Sequence, residues 1–190
     1  MGRTSGWRAA AGIAAVLAAA TLLLTAGCVT VSLPLVEPEY EPAPDVPDVF
    51  RAEVTRHTDG DTFHVRLDDW SREKVRLIGI DTPEVGERLE PYGEAAAAYT
   101  AEAVPIGTTV WLEIDTEQRD KYTRLLAYVW LERPADRSEA EVRAKMLNAR
   151  IVLDGYAQAF TYPPNVRYND LLMRLQAEAR SAERGLWAAE

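Results

Sequence analysis

The chain begins with an apolar block and then settles into short segments of alternating character. Eighteen residues from Ala9 to Ala26, AAAGIAAVLAAATLLLTA, carry no charge, a length within the ~17–25 residues of a membrane-spanning helix. Residues 29–48 hold five prolines and five acidic residues with no usable period, a composition that cannot bury a core and predicts an extended spacer. FRAEVTRH (50–57) alternates, and DTFHVRLD (61–68) does so more cleanly, with Phe63, Val65 and Leu67 on one face. With EKVRLIGI (73–80) these predict three closely spaced strands in an antiparallel meander. YGEAAAAYTAEAV (92–104) is helical by propensity, and TTVWLEID (108–115) and RLLAYVWLE (124–132) predict two further strands. SEAEVRAKMLNARIVLDG (138–155) has a helical period, a Ser138/Glu141 capping box and a terminal glycine, so it is expected as one helix. NDLLMRLQAEARSAERG (169–185) repeats that design, with Asn169 as cap and Gly185 as stop. Five strands with a helix between the third and fourth give an α+β expectation: a five-stranded OB-fold Greek-key β-barrel with about three α-helices.

The N-terminal block changes the domain picture. Arg3 and Arg8 precede it, and the small residues Ala26 and Gly27 follow, directly before Cys28, the single cysteine. A basic start, an apolar middle and a small-residue end form a secretory signal. LLLTAGC resembles the lipobox of bacterial-type lipoproteins, in which the cysteine is lipidated and becomes the mature N-terminus. An uncleaved membrane helix is the alternative, and either one tethers the chain and exports the remainder. The expected organisation is a signal over 1–27, a Pro/acid-rich spacer over 28–48 and a folded domain over 49–190. Without Arg3 and Arg8, 19 basic side chains face 30 acidic ones, a balance of −11. That is a poor balance for binding polyanions through a broad basic surface.

Chemistry concentrates at two turns. HTDGDTFHV (57–65) sets Asp59 and Asp61 around Gly60; Asp-Gly is an ordinary turn dipeptide, but Asp61 leads straight into a strand. The third strand ends in VRLIGIDTPE, where Pro83 stops the strand and lets Asp81 and Glu84 project into one cleft. Asp61, Asp81 and a backbone carbonyl form plausible oxygen ligation for a hard cation such as calcium. An EF-hand is excluded, because Trp70 stands where its bidentate glutamate would be. Arg76, and Arg124 in DKYTR, place two guanidinium groups beside these carboxylates; a surface ion-pair cluster is the bland alternative. His57 and His64 lack partners at ligand spacing, and Trp111, Trp130 and Trp187 are expected as core or barrel-edge aromatics.

DGDT, RLIGIDTPE and DKYTRLLAYV occur in the order and spacing of the staphylococcal (thermonuclease-like) nuclease family, and the resemblance extends through PYGEAA, MLNARIVLDGYA and EARSAERGLW. It implies an OB barrel with a calcium-dependent phosphodiesterase site acting on DNA and on RNA. By motif match, Asp61, Asp81 and the backbone carbonyl of Thr82 would hold Ca2+, with Asp59 nearby tuning the site. Glu84 matches the general base, and Arg76 and Arg124 the arginines on the scissile phosphate. Lys121 and Tyr122 match a terminal-phosphate contact, and Tyr162 an aromatic that touches the nucleotide. The partners implied are a nucleic-acid substrate and, through Cys28, a membrane, with the chain acting as a monomer.

Strict alternation puts Arg76 and Asp81 on opposite faces of one strand, so a bulge at Gly79 is expected to bring them together. The family usually has glycine where this chain has Thr123. The expectation is a turn that threonine tolerates, because a β-branched residue at φ > 0 is strained and would misplace Arg124. Three readings follow: an extracytoplasmic calcium-dependent nuclease, a catalytically weak binding module on the same fold, and a structural envelope lipoprotein that merely binds calcium.

Overall fold

The computed structural model describes residues 45–86 and 90–188; the expected signal, Cys28 and most of the spacer lie outside them. Five strands close into a barrel: β1 (Val49–His57), β2 (Thr62–Leu67), β3 (Arg72–Leu77), β5 (Thr109–Glu113) and β6 (Leu125–Trp130). Their order around it is β1-β2-β3-β6-β5. The first three form the expected meander; β6 pairs parallel with β3 and antiparallel with β5. Phe63, Val65, Val75, Leu77, Val110 and Leu112 fill the barrel and are fully buried. Such burial removes most of each side chain from water, worth roughly 1.5–3 kcal/mol apiece. β6 is buried on both faces, which explains why LLAYVW does not alternate.

The third strand breaks where glycine allows it. β3 ends at Leu77, and after Ile78 and Gly79 a two-residue strand β4 (Ile80–Asp81) pairs with β7 (Gln158–Ala159). Gly79 has φ +78° and leaves no room for a Cβ, which would sit 2.6 Å from Leu172 Cδ1; only glycine fits that backbone without strain. Buried Asn148 fixes the bend, donating to the Ile78 carbonyl at 2.9 Å while accepting from Val129 N at 2.9 Å.

Helix α1 (Gly93–Ala103) lies between β4 and β5 as expected. The segment expected as one helix over 138–155 is instead two, α2 (Glu139–Lys145) and α3 (Leu147–Leu153). Met146, with ψ 119°, interrupts them because its backbone bridges Trp130 at the barrel edge. Ser138 caps α2 as predicted, but Glu141 reaches Ala135 N rather than closing the box. α4 (Asn169–Ser181) makes a fourth helix. Asn169 does not cap it, since the helix begins at that residue, and Gly185 opens a short 3-10 turn (Gly185–Trp187) instead of stopping the helix.

A buried carboxylate anchors the far end of the barrel. Glu113, fully buried, accepts from Trp130 Nε1 (3.0 Å), Tyr168 OH (3.0 Å), Arg137 Nε (2.8 Å) and Arg167 Nη1 (2.7 Å). Four donors satisfy the charge, so burial is tolerated. With the reciprocal Asn165–Glu117 bonds of 2.7 and 2.8 Å, it pins segment 160–168 against the barrel mouth.

A bulge at Thr55, where the β1–β2 register shifts, turns Arg56 outward and His57 inward. Both ring nitrogens of His57 are buried without a well-aligned partner, and its ring centroid lies 6.2 Å from that of Phe63. Burial, outweighing a loose approach to the Val104 backbone, lowers its pKa below the ordinary 6.5. The unfolded chain therefore takes up this proton first, and stability falls as pH drops below about 6.5. His57→Phe is expected to flatten that loss below about pH 6.5; melting temperatures on the acid side of that pH check it, and an unchanged slope would refute it.

Candidate active site

The turn after β1 is built around Asp59. Its Oδ1 accepts from Asp61 N at 3.1 Å, and the N–H groups of Thr58 and Asp59 both bond the Thr62 carbonyl. Thr100 of α1 donates to the Gly60 carbonyl at 2.6 Å, so helix and turn are locked together. Asp61 is thereby aimed inward and is 2% exposed. Its Oδ1 accepts from Thr62 Oγ1 at 2.9 Å and its Oδ2 from Thr82 N at 3.0 Å. The dipeptide is a turn, and the aspartate after it turns inward to meet Thr82 and Arg76.

Arg76 joins the two carboxylates. Its Nη1 pairs with Asp61, its Nη2 donates to Asp81 Oδ1 at 2.7 Å and to the Ile80 carbonyl at 3.2 Å. The bend at Gly79 makes this geometry possible, as expected of a strand whose alternation must break. Asp59 lies close enough to feel Arg76 and Lys74, yet burial dominates and raises its pKa above the usual carboxylate value. Glu84, exposed on the loop beyond, bonds through its backbone to Glu90; among the described residues its carboxylate joins none of these groups.

The second arginine arrives on the neighbouring strand. Arg124 precedes β6, whose Leu126 pairs with Arg76, and both arginines line one cavity of about 490 Å³. Lys121, Tyr122, Phe160 and Tyr162 complete its working wall, together with the acids Glu117 and Asp120. The Tyr122 ring lies 5.0 Å from Lys121 Nζ and 5.4 Å from the Arg124 guanidinium carbon. Another hollow of about 510 Å³ lies along Glu90–Ala95 but offers carboxylates and no cation among the described residues.

Thr123 has φ 65°, so the expectation of a turn that threonine tolerates is not met. The left-handed backbone is held from several sides, which is what strain requires to persist. Arg119, clamped on Glu73 by bonds of 2.7 and 2.8 Å, donates to the Thr123 carbonyl at 2.9 Å. Asp120 Oδ1 accepts from both Tyr122 N and Arg124 N at 2.9 Å, and its Oδ2 accepts from Arg124 Nε at 2.6 Å. Burial would raise the Asp120 carboxyl, but these bonds from Arg124 and Tyr122 hold it below the usual range.

Sequence reasoning missed Phe160, Asp120 and Glu113. The i, i+2 aromatics of AFTYPPN were a usable signal for Phe160, since such pairs share a strand face. The i, i+4 acid–arginine pair in DKYTR was one for Asp120.

Residues 74–189 match the family model described as staphylococcal nuclease homologue. The chain belongs to the staphylococcal nuclease family. It is 39% identical over 137 residues to a thermonuclease of Staphylococcus intermedius, covering 70% of this chain and 74% of that protein. To a thermonuclease of Staphylococcus hyicus it is 33% identical over 138 residues, covering 71% and 74%. To endonuclease YncB of Bacillus subtilis it is 33% identical over 140 residues, covering 71% of this chain and 60% of that protein. The staphylococcal nuclease match spans Arg76, Asp81, Glu84 and Arg124, while Asp59 and Asp61 precede it.

The donor set bears on what cation the site could take. Asp61 and Asp81 offer only oxygen and already converge on one positive group. No cluster of three or more His, Cys, Asp or Glu gathers among the described residues. Two carboxylates fit a hard, largely hydrated cation with few protein ligands.

Proposed function

We propose that the chain is a calcium-dependent nuclease that hydrolyses phosphodiester bonds of DNA and RNA outside the cytoplasm, as a monomer held to a membrane through lipidated Cys28. The convergence of Arg76 and Arg124 on one cavity with Lys121 and three aromatic rings supports this reading, as does the similarity to two thermonucleases. A phosphodiester is negatively charged and gains charge on attack, which paired guanidinium groups answer bidentately. Asp61, Asp81 and the Thr82 carbonyl would hold the ion, which supplies positive charge at a phosphate oxygen. Arg124 and Arg76 orient the scissile group, Lys121 and Tyr122 bind a terminal phosphate, and Phe160 and Tyr162 stack on bases. Glu84 takes the proton from the attacking water, its exposure allowing it to swing toward the cavity. The strained Thr123 favours a second reading, a weakened enzyme that chiefly binds nucleic acid.

The full chain should cleave single-stranded DNA with calcium and not in excess chelator; full cleavage in chelator would defeat the assignment. Asp81→Asn should abolish calcium dependence along with activity, an amide being a poorer ligand for a hard cation. Glu84→Gln should leave calcium binding intact while slowing turnover about 10²–10⁴-fold; calorimetry beside a rate assay separates them. Mass spectrometry of the membrane fraction addresses the anchor: the mature chain should start at a lipid-modified Cys28, and retention of residues 1–27 would disprove it.

A further inference from the structure

The acidic balance of the chain hides one basic face. On β3 the outward positions are Arg72, Lys74 and Arg76, and the register sets Lys74 opposite His64 and Arg72 opposite Arg66 on β2. On β1 the bulge at Thr55 turns Arg56 outward, opposite His64, whose Nε2 lies 2.6 Å from the Arg56 guanidinium. Arg56, Arg72 and Lys74 have no carboxylate within salt-bridge distance among the described residues. By contrast, Arg66 is taken up by both oxygens of Glu53 at 2.8 and 2.9 Å, Arg51 pairs with Asp68, and Arg119 with Glu73. At the hairpin end of the face stands Trp70, 74% exposed, with the Arg66 guanidinium carbon 4.7 Å from its ring centroid.

We propose that this outer face of β1–β2–β3 is a track for the single-stranded nucleic acid that flanks the scissile phosphate, running along β3 from Arg76 past Lys74 and Arg72 to Trp70, with Arg56 alongside Lys74 across His64. The proposal rests on the nuclease reading and extends it to substrate length. Charge complementarity selects the occupant: cations without a carboxylate partner, concentrated on one face of a chain of net charge −9, fit a polyanion. Alternate residues on a strand lie roughly 6.5–7 Å apart, close to the spacing of successive phosphates in an extended strand. The track is continuous with the site, because Arg76 is both its first member and the partner of Asp61 and Asp81. A positively charged groove with an aromatic platform holds single strands without reading their sequence. Cations lined along a strand give an enzyme with a preference for longer substrate, through tighter binding rather than faster chemistry.

The test compares the full chain with an Arg56→Gln/Arg72→Gln/Lys74→Gln variant whose melting temperature is first shown to be unchanged. Binding of fluorescein-labelled oligothymidylate of about 16 nucleotides, the upper site size for such a fold, is measured by anisotropy in chelator over a range of salt. A labelled dinucleotide serves as the short probe, and cleavage of both is followed with calcium. The variant should bind the long probe about ten- to a hundredfold more weakly at low salt. Its slope of log K against log salt should shrink by about 2, at ~0.7 for each phosphate that is no longer neutralised. KM for the long probe should rise with kcat unchanged, and dinucleotide cleavage should stay at the wild-type rate. Equal long-probe affinity and slope in the two proteins would overturn the track, as would equal losses on both probes or a wild type that does not bind the long probe. A wild type that binds the long probe yet cleaves neither would defeat the nuclease reading and leave the binding comparison to decide the track alone.

Discussion

Replacing Arg76 by alanine is expected to reduce nuclease activity by at least about 10²–10³-fold, the scale for one lost transition-state donor in a dry site. The same change should make folding depend on a divalent cation. Asp61 is 2% exposed, and Arg76 is its charge partner as well as that of Asp81. Removing one member of a buried pair leaves an uncompensated charge, a loss of about 3–5 kcal/mol at full burial. The bonds from Thr62 and Thr82 soften that figure without supplying positive charge. A cation between Asp61 and Asp81 would supply it, so calcium should raise the variant's melting temperature far more than the wild type's. Binding at a hundred times Kd stabilises by about 2.7 kcal/mol. Lysine should not restore activity, since a point charge cannot span two carboxylates and a carbonyl as the guanidinium fork does. Thermal melts with and without calcium check the stability claim; an Arg76→Ala protein with a wild-type melting temperature in chelator would refute it.

The barrel was legible because its physics is local. Alternation in DTFHVRLD and EKVRLIGI announces buried Phe63, Val65, Val75 and Leu77, and Gly79 is readable as a break because Arg76 and Asp81 otherwise face apart. Met146 was not readable as a helix break: its 3.6-residue period is unbroken in SEAEVRAKMLNARIVLDG, and the pairing with Trp130 that interrupts it is a tertiary contact. Glu113 sits at a position that alternation assigns to water, and only donors from Trp130, Arg137, Arg167 and Tyr168 make its burial tolerable. The motifs singled out Asp61, Arg76, Asp81 and Thr82, which the structure sets side by side, and Arg124 and Tyr162, which line one cavity. They did not show that Arg76 ties the carboxylates, nor what orients Arg124. Those facts depend on side-chain conformations that short motifs do not encode.

Asp120→Ala should lower turnover by about 10²-fold, the expected consequence of misplacing a catalytic group by about an ångström. Asp120 accepts three hydrogen bonds within its own turn, two from backbone N–H groups and one from Arg124 Nε. It therefore does two separable things: it stabilises the backbone around Thr123, and it points the Arg124 side chain. Asp120→Asn divides them. The asparagine carbonyl can still accept from Tyr122 N and Arg124 N, but its amide cannot accept from Arg124 Nε. That variant should keep most of its stability and lose most of its activity. Thr123→Gly acts on the first role alone. It relieves roughly 1–3 kcal/mol of left-handed strain against about 0.4–1 kcal/mol lost by loosening the unfolded chain, so the melting temperature should rise. Turnover should stay within a few-fold of wild type while Asp120 still holds the arginine. In the Asp120→Asn background the glycine should recover stability and no activity, because the lost bond belongs to the side chain and not to the turn. Turnover and melting temperature of the four variants decide it. A large activity gain from Thr123→Gly alone would show that strain, not Asp120, sets the position of Arg124 and that the natural protein is a weakened enzyme.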